Sequence, residues 1–190
     1  MSLAAFRTAI GDIPVQDHPR IVQQKSRDHY WYSPRLKAQL DKVTAELVVM
    51  PRTQDEVVTI LKAAYANGVA VTPRGAGTGN YGQAMPLSGG VVLDLTGLDR
   101  IISASRDSVR AEAGVIMEKL DEYTREHFAS ELRFHPSTHR MATLGGFIAG
   151  GSGGVGSIRW GGLRNFGNIL ALKVVTCEAE PRILEFRGPD

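Results

Sequence analysis

Residues 73 to 86 read PRGAGTGNYGQAMP, directly after the apolar stretch Val69-Ala70-Val71. The glycines at Gly75, Gly77, Gly79 and Gly82 mark a backbone that turns where a side chain would forbid it, or passes close to something. Successive N–H groups in such a loop form a nest for an anion, a phosphate above all. Thr78 adds a hydroxyl donor and Arg74 a positive charge at the loop entrance, although an arginine there equally suits a structural or solvent-facing role.

Known phosphate loops narrow the choice. Gly77 to Gly82 satisfies G-x-G-x-x-G after a strand, the fingerprint of a nicotinamide-binding turn, which needs a helix over 81–88 and an acidic residue roughly 20 positions on. Pro86, Gly89 and Gly90 interrupt that helix, and Asp94 comes too soon. No G-K-[ST] occurs, so a Walker A loop is excluded. A nest without a following helix remains.

Outward from the loop, ELVVMP over 46–51 is a strand closed by proline, and Thr53-Gln54-Asp55-Glu56 fits a capping box. Val57, Leu61, Ala64 and Tyr65 share a helical face that Gly68 terminates, and Val69 to Thr72 makes a strand. VVLDL over 91–95, Ile101 to Ser103 and Ser108 to Ala113 read as strands, and Val115 to Phe128 as a helix through Ile116, Leu120 and Tyr123. Residues 1–44 show no clear period and read as a lead-in segment with one short helix, Arg35 to Lys42.

Between Thr143 and Gly167, TLGGFIAGGSGGVGSIRWGGLRNFG spends ten of 25 positions on glycine. That density argues against any regular helix or strand and for a second loop of close backbone approach. Two such segments about 60 residues apart fit one long ligand, a dinucleotide with a broad flat ring; the bland alternative is that the glycines only let turns pack. ILALKVVTC and RILEF, separated by 178–181, read as a strand hairpin, with Cys177 a buried small residue.

Composition sets the class. A chain of 190 residues, 43% hydrophobic and 22% charged, is ordinary for a globular protein, and a formal charge of +2 with scattered Lys and Arg gives no footprint for nucleic acid. No stretch approaches the roughly 20 apolar residues of a membrane span, and the N-terminus has no signal-peptide core. The single cysteine makes no internal disulfide, so a cytoplasmic setting is expected.

The ordered set Arg74-Gly75-Ala76-Gly77-Thr78-Gly79, Pro136-Ser137-Thr138, Thr143-Leu144-Gly145-Gly146, Ile148-Ala149, Ser152-Gly153-Gly154 and Arg159-Trp160-Gly161 resembles the FAD-binding domain of the vanillyl-alcohol oxidase or p-cresol methylhydroxylase type. Its nearest likeness is the glycolate oxidase subunit and D-lactate dehydrogenase branch, over about Glu46 to the end. The resemblance implies an α+β fold of two subdomains, about 45–105 and 106–190 within an FAD-binding domain 45–190, with FAD between them. It implies that Arg74 to Gly79, Gly82 and Gln83 wrap the FAD pyrophosphate. Pro136, Ser137, Thr138, Thr143, Gly145, Gly146, Ala149, Ser152, Gly153 and Gly154 then approach the ribityl chain and ring. Phe147 and Gly151 stand where the family usually has asparagine, and Gln83 where it has a further glycine. Neither loop holds the histidine or cysteine through which some relatives attach flavin, so noncovalent FAD is implied.

The same resemblance implies a flavin-dependent oxidoreductase acting on a 2-hydroxy acid or similar alcohol. The C-terminal cap domain that carries substrate and catalytic groups in relatives is not in these 190 residues, so the chain is expected to be an N-terminal fragment or one subunit of a split enzyme. The rival expectation is a noncatalytic flavin- or nucleotide-binding subunit needing a partner chain. No catalytic residue is assigned. His135 and His139 flank the Pro136 segment and suit hydrogen-bonded loop roles, and no third ligand stands at metal-site spacing. Asp121 and Arg125 are spaced for an i,i+4 pair, and the packing of Tyr30-Trp31-Tyr32, against the domain or a partner, is left open.

Overall fold

A computed structural model describes residues 2–151, 153–165 and 167–188. Its first sheet is built around the strands β2 (Leu47–Val49), β3 (Val71–Arg74) and β4 (Val91–Asp94), with the helix α4 (Gln54–Ala66) between β2 and β3. β4 lies in the middle and pairs in parallel with both β2 and β3. All three residues of β2 and all four of β4 are buried, as the near-continuous apolar runs of parallel strands require. Pro73 sits in β3, which is an edge of this sheet.

The start of α4 is fixed by Thr53, whose side chain accepts the Glu56 N–H. The Glu56 carboxylate reaches one residue further back than a capping box does, to the Arg52 N–H. Its end is a Schellman turn: Gly68, at φ +62°, donates to the Tyr65 carbonyl and Val69 to the Ala64 carbonyl. Ile60 and Ala63 are buried with Val57, Leu61 and Ala64, whereas Tyr65, expected on that face, is exposed. It lies one residue beyond the stripe that meets the sheet.

Residues 1–44 carry more structure than the expected single helix. They hold α1 (Leu3–Ala9), β1 (Val15–Gln16), α2 (Pro19–Lys25) and α3 (Pro34–Leu40). β1 adds antiparallel to β2, giving the order β1-β2-β4-β3. Phe6 and Ile10 are buried in the same cluster as Leu47, Val49, Ile60 and Leu93. Seven-residue helices that bury at most one residue each give no measurable period, which is why they escape sequence reading. Lys25 of α2 reaches Asp94 of β4, Nζ to Oδ2 2.6 Å, and that carboxylate is 2% exposed.

A second cluster gathers Met117, Phe134, Ala142, Phe147 and Leu163. Met117 opens α5 (Met117–Phe128), after the antiparallel pair β5 (Ile101–Ala104) and β6 (Val109–Ala111). The expected Asp121–Arg125 pair forms at 2.7 Å. The glycine-rich segment is not all loop: it contains α6 (Leu144–Gly150) and the single turn α7 (Ser157–Trp160). Packing overrides propensity here, because Phe147 is buried against Phe134 and Thr143 caps the first turn.

The strands β7 (Ala171–Val175) and β8 (Ile183–Arg187) form the expected antiparallel hairpin. Cys177, expected within an apolar strand, is exposed, since β7 ends at Val175. Among the described residues no helix is long and apolar enough to cross a membrane.

Candidate cofactor site

β3 delivers Arg74 to the start of the glycine loop with its side chain turned inward. The residue is 9% exposed, and its guanidinium donates to the Arg27 and Ala76 carbonyls. Burial lowers the Arg74 pKa from the ordinary arginine value, and the carboxylates of Asp94 and Asp28 act in the opposite direction. The chain folds back over this cation at Gly77, φ +72°, where a β-carbon would lie 2.1 Å from Nη1. Arg74 is therefore the floor of the loop, and both of its Nη atoms are committed to main-chain carbonyls.

Above that floor, among the described residues, the N–H groups from Ala76 to Tyr81 make no hydrogen bond within the chain. Gly75 to Thr78 are half-buried and Gly79 to Tyr81 exposed, so the strip is open to a ligand. No helix forms over 81–88, which disposes of the nicotinamide fingerprint. Consecutive free donors on a glycine backbone are the chemistry of a diphosphate nest, and this is what fits the residues to a dinucleotide. Gln83 folds back on Gly79, its Oε1 2.9 Å from where a β-carbon would stand. Gly82 behaves differently, since its N–H is taken by Asp28 Oδ2 at 2.8 Å.

The second segment meets the first at Thr143. Thr143, 1% exposed, lies against Gly75 and accepts the Gly146 N–H at 3.3 Å. Leu144 and Gly145 spend their N–H groups on the carbonyls of Val115 and Ala113, 2.8 Å each. Gly145 must be glycine for that approach, because a β-carbon would stand 2.6 Å from the Ala113 β-carbon. The outer positions of α6, Gly146, Ala149 and Gly150, are exposed and small.

The remaining expected residues divide. Pro136 and Thr138 accept backbone bonds that wind the chain toward Thr143, and Ser137 is exposed. Gly153 is exposed; Gly154 packs on the His135 carbonyl, 2.1 Å from where a β-carbon would be. Ser152 lies outside the described residues. The His135 and His139 rings are 4.6 Å apart, with His135 Nδ1 near the Pro136 carbonyl and His139 Nε2 3.8 Å from Glu118.

Sequence reasoning missed Arg27 and Asp28. The one available signal was an acidic residue before an aromatic cluster: Tyr30 packs against Gly82, and Tyr32 is buried on Met85, while Trp31 is 87% exposed.

An α+β domain with a strip of free backbone donors over a buried arginine has the chemistry of a dinucleotide-binding domain. Comparison with known proteins gives the family: the model described as "FAD binding domain" matches residues 45–185, and the chain belongs to that family. It is 35% identical over 143 residues to the D-lactate dehydrogenase of Archaeoglobus fulgidus, covering 75% of this chain and 31% of that protein. It is 35% identical over 157 residues to the D-2-hydroxyglutarate dehydrogenase of Escherichia coli, covering 76% of this chain and 15% of that one. The chain thus spans less than a third of the length of these relatives. The solved structure of a BBE-like 1 variant from Physcomitrella patens shares the fold, with TM-score 0.77 at 16% identity over 96% of this chain and 38% of the other.

Proposed function

We propose that this chain is the FAD-binding part of a flavin-dependent dehydrogenase acting on a 2-hydroxy acid. The observation that carries the reading is the strip of unpartnered N–H groups from Ala76 to Tyr81 over the buried Arg74. In this reading the strip takes the FAD diphosphate, with Thr78 adding its hydroxyl, and the segment from Pro136 through α6 to Gly154 borders the ribityl chain and ring. What the flavin supplies when bound is an acceptor for the hydride on the carbon bearing the substrate hydroxyl. The protein's own contribution is to bind, orient and shield it. Attachment is noncovalent, because 73–86 and 143–167 hold neither histidine nor cysteine.

The clusters around Leu47, Ile60 and Leu93 and around Val22, Val48 and Val92 lie before residue 105 and that around Met117, Phe134 and Phe147 after it, which supports a division into subdomains there, with Val175 of β7 packed back against the first. The D-lactate and D-2-hydroxyglutarate dehydrogenases among the relatives support a 2-hydroxy acid as substrate and a dehydrogenase as the whole protein. Because the chain matches only 31% and 15% of those two, catalysis is assigned to these residues together with further protein, in the same chain or in a partner subunit. The lone, exposed Cys177 agrees with a reducing, cytoplasmic setting.

Titrating the purified chain with FAD and following flavin fluorescence tests the reading. Saturable one-to-one binding that ADP competes away is expected; flavin emission unchanged by the protein, with no shift in thermal midpoint, would overturn it.

A further inference from the structure

Three contacts bind the glycine loop to a segment some fifty residues earlier in the chain. The His29 N–H donates to the Gly79 carbonyl at 2.8 Å, the Gly82 N–H donates to Asp28 Oδ2 at 2.8 Å, and Arg74 donates to the Arg27 carbonyl. Asp28 Oδ1 also accepts the Tyr30 N–H at 3.0 Å, which locks its carboxylate in an Asx turn. We infer that Asp28 is a positioning residue for the cofactor, the centre of a clamp over Arg27 to His29 that holds the loop in its binding shape. The inference rests on the FAD reading above.

The peptide geometry says how the clamp acts. All described peptide bonds are trans, so each C=O points opposite to the N–H of the same unit. Tying the Gly79 carbonyl to His29 turns the Asn80 N–H away from the clamp. Tying the Gly82 N–H to Asp28 removes it from the donor strip, which therefore ends at Tyr81. Gly82, an expected cofactor contact by resemblance, becomes the anchor that ends the nest.

A loop with glycines at 75, 77, 79 and 82 has unusual freedom when untethered, and ordering it at the moment of binding weakens affinity. The carboxylate turns its oxygens to the Gly82 and Tyr30 N–H groups, neither of which belongs to the Ala76 to Tyr81 strip, and the Arg74 guanidinium nearby carries the opposite charge. Asp28 is half-buried and outside the apolar clusters, so its replacement leaves the cores intact.

The test pairs Asp28→Ala with Asp28→Asn, whose single amide oxygen can accept the Gly82 N–H or the Tyr30 N–H but not both. FAD affinity is expected to fall about tenfold or more in the alanine variant and by clearly less in the asparagine variant, which keeps one of the two hydrogen bonds. Amide exchange in the FAD-free parent protein reads the clamp directly: the Gly82 amide is expected to be protected relative to Asn80 and Tyr81. If Asp28→Ala fails to fold, the parent's Gly82 protection still decides. An alanine variant that binds FAD as tightly as the parent, or more tightly, overturns the inference, as does a Gly82 amide exchanging at the rate of its neighbours. Should the parent not bind FAD at all, the reading of function fails, and loss of Gly82 protection in Asp28→Ala still separates that failure from the clamp's.

Discussion

Thr143 Oγ1 occupies the space a side chain on Gly75 would need: a β-carbon there would lie 2.1 Å from it. The two glycine segments are joined at this contact, so Gly75→Ala is expected to push them apart and weaken FAD binding by about tenfold while keeping the fold. Thr143→Ala removes the α6 cap and costs about 1 kcal/mol. The double variant clears the hydroxyl from the added methyl and recovers part of the lost affinity. Titration of the three variants checks it; strictly additive losses would show that the contact carries no coupling.

Phe6 is fully buried among the first-sheet residues. Phe6→Ala is expected to cost about 3–5 kcal/mol in urea denaturation, as for an interior aromatic. A cost below about 1 kcal/mol would mean that α1 is an ornament on a sheet complete without it.

Asp94 and Lys25 give the acid dependence. Burial raises the Asp94 pKa, but hydrogen bonds from Lys25 and Thr96 outweigh it and hold the carboxyl below the usual aspartate value. A carboxyl whose folded pKa is depressed contributes stability that is fully present above its unfolded pKa and is lost as pH falls through the folded value. Lys25→Met removes the ammonium and leaves the 2%-exposed carboxylate with only Thr96 and the neighbouring Arg74 charge, so a loss of about 1–3 kcal/mol at neutral pH and an acid midpoint moved upward are expected. Unfolding followed by circular dichroism from pH 7 to pH 2 reads both.

Gly90 and Gly151 both have positive φ, +73° and +61°, yet a β-carbon on Gly90 would stand 2.1 Å from the Ala70 carbonyl and one on Gly151 meets nothing within 4 Å. Gly151→Ala is therefore expected to cost about 1 kcal/mol, the backbone strain alone. Gly90→Ala costs that plus the displacement of β3 from β4, about 3 kcal/mol or more. Equal denaturation midpoints for the two would refute this reading.

What the sequence revealed was local. Thr53, Glu56 and Gly68 act within a few residues, so the bounds of α4 were legible to the residue. The glycine loop was legible because its conformational demand is written into its own letters. α6 was not: its glycine density argues against a helix, and only Phe147 meeting Phe134 makes one. Cys177 went wrong because hairpin pairing, set by the register of Val175 with Ile183, ends the strand before it. The clamp was invisible because Asp28 and Gly82 are 54 residues apart and nothing about an aspartate names its acceptor role.

Pro73 lies in the edge strand β3. Proline has no N–H to offer, so an incoming strand from another molecule finds a donor missing along that rim. One residue beyond it, after Arg74, the strand ends and the chain turns off into the glycine loop. The residue that leads into the glycine loop thus also discourages edge-to-edge pairing with another molecule.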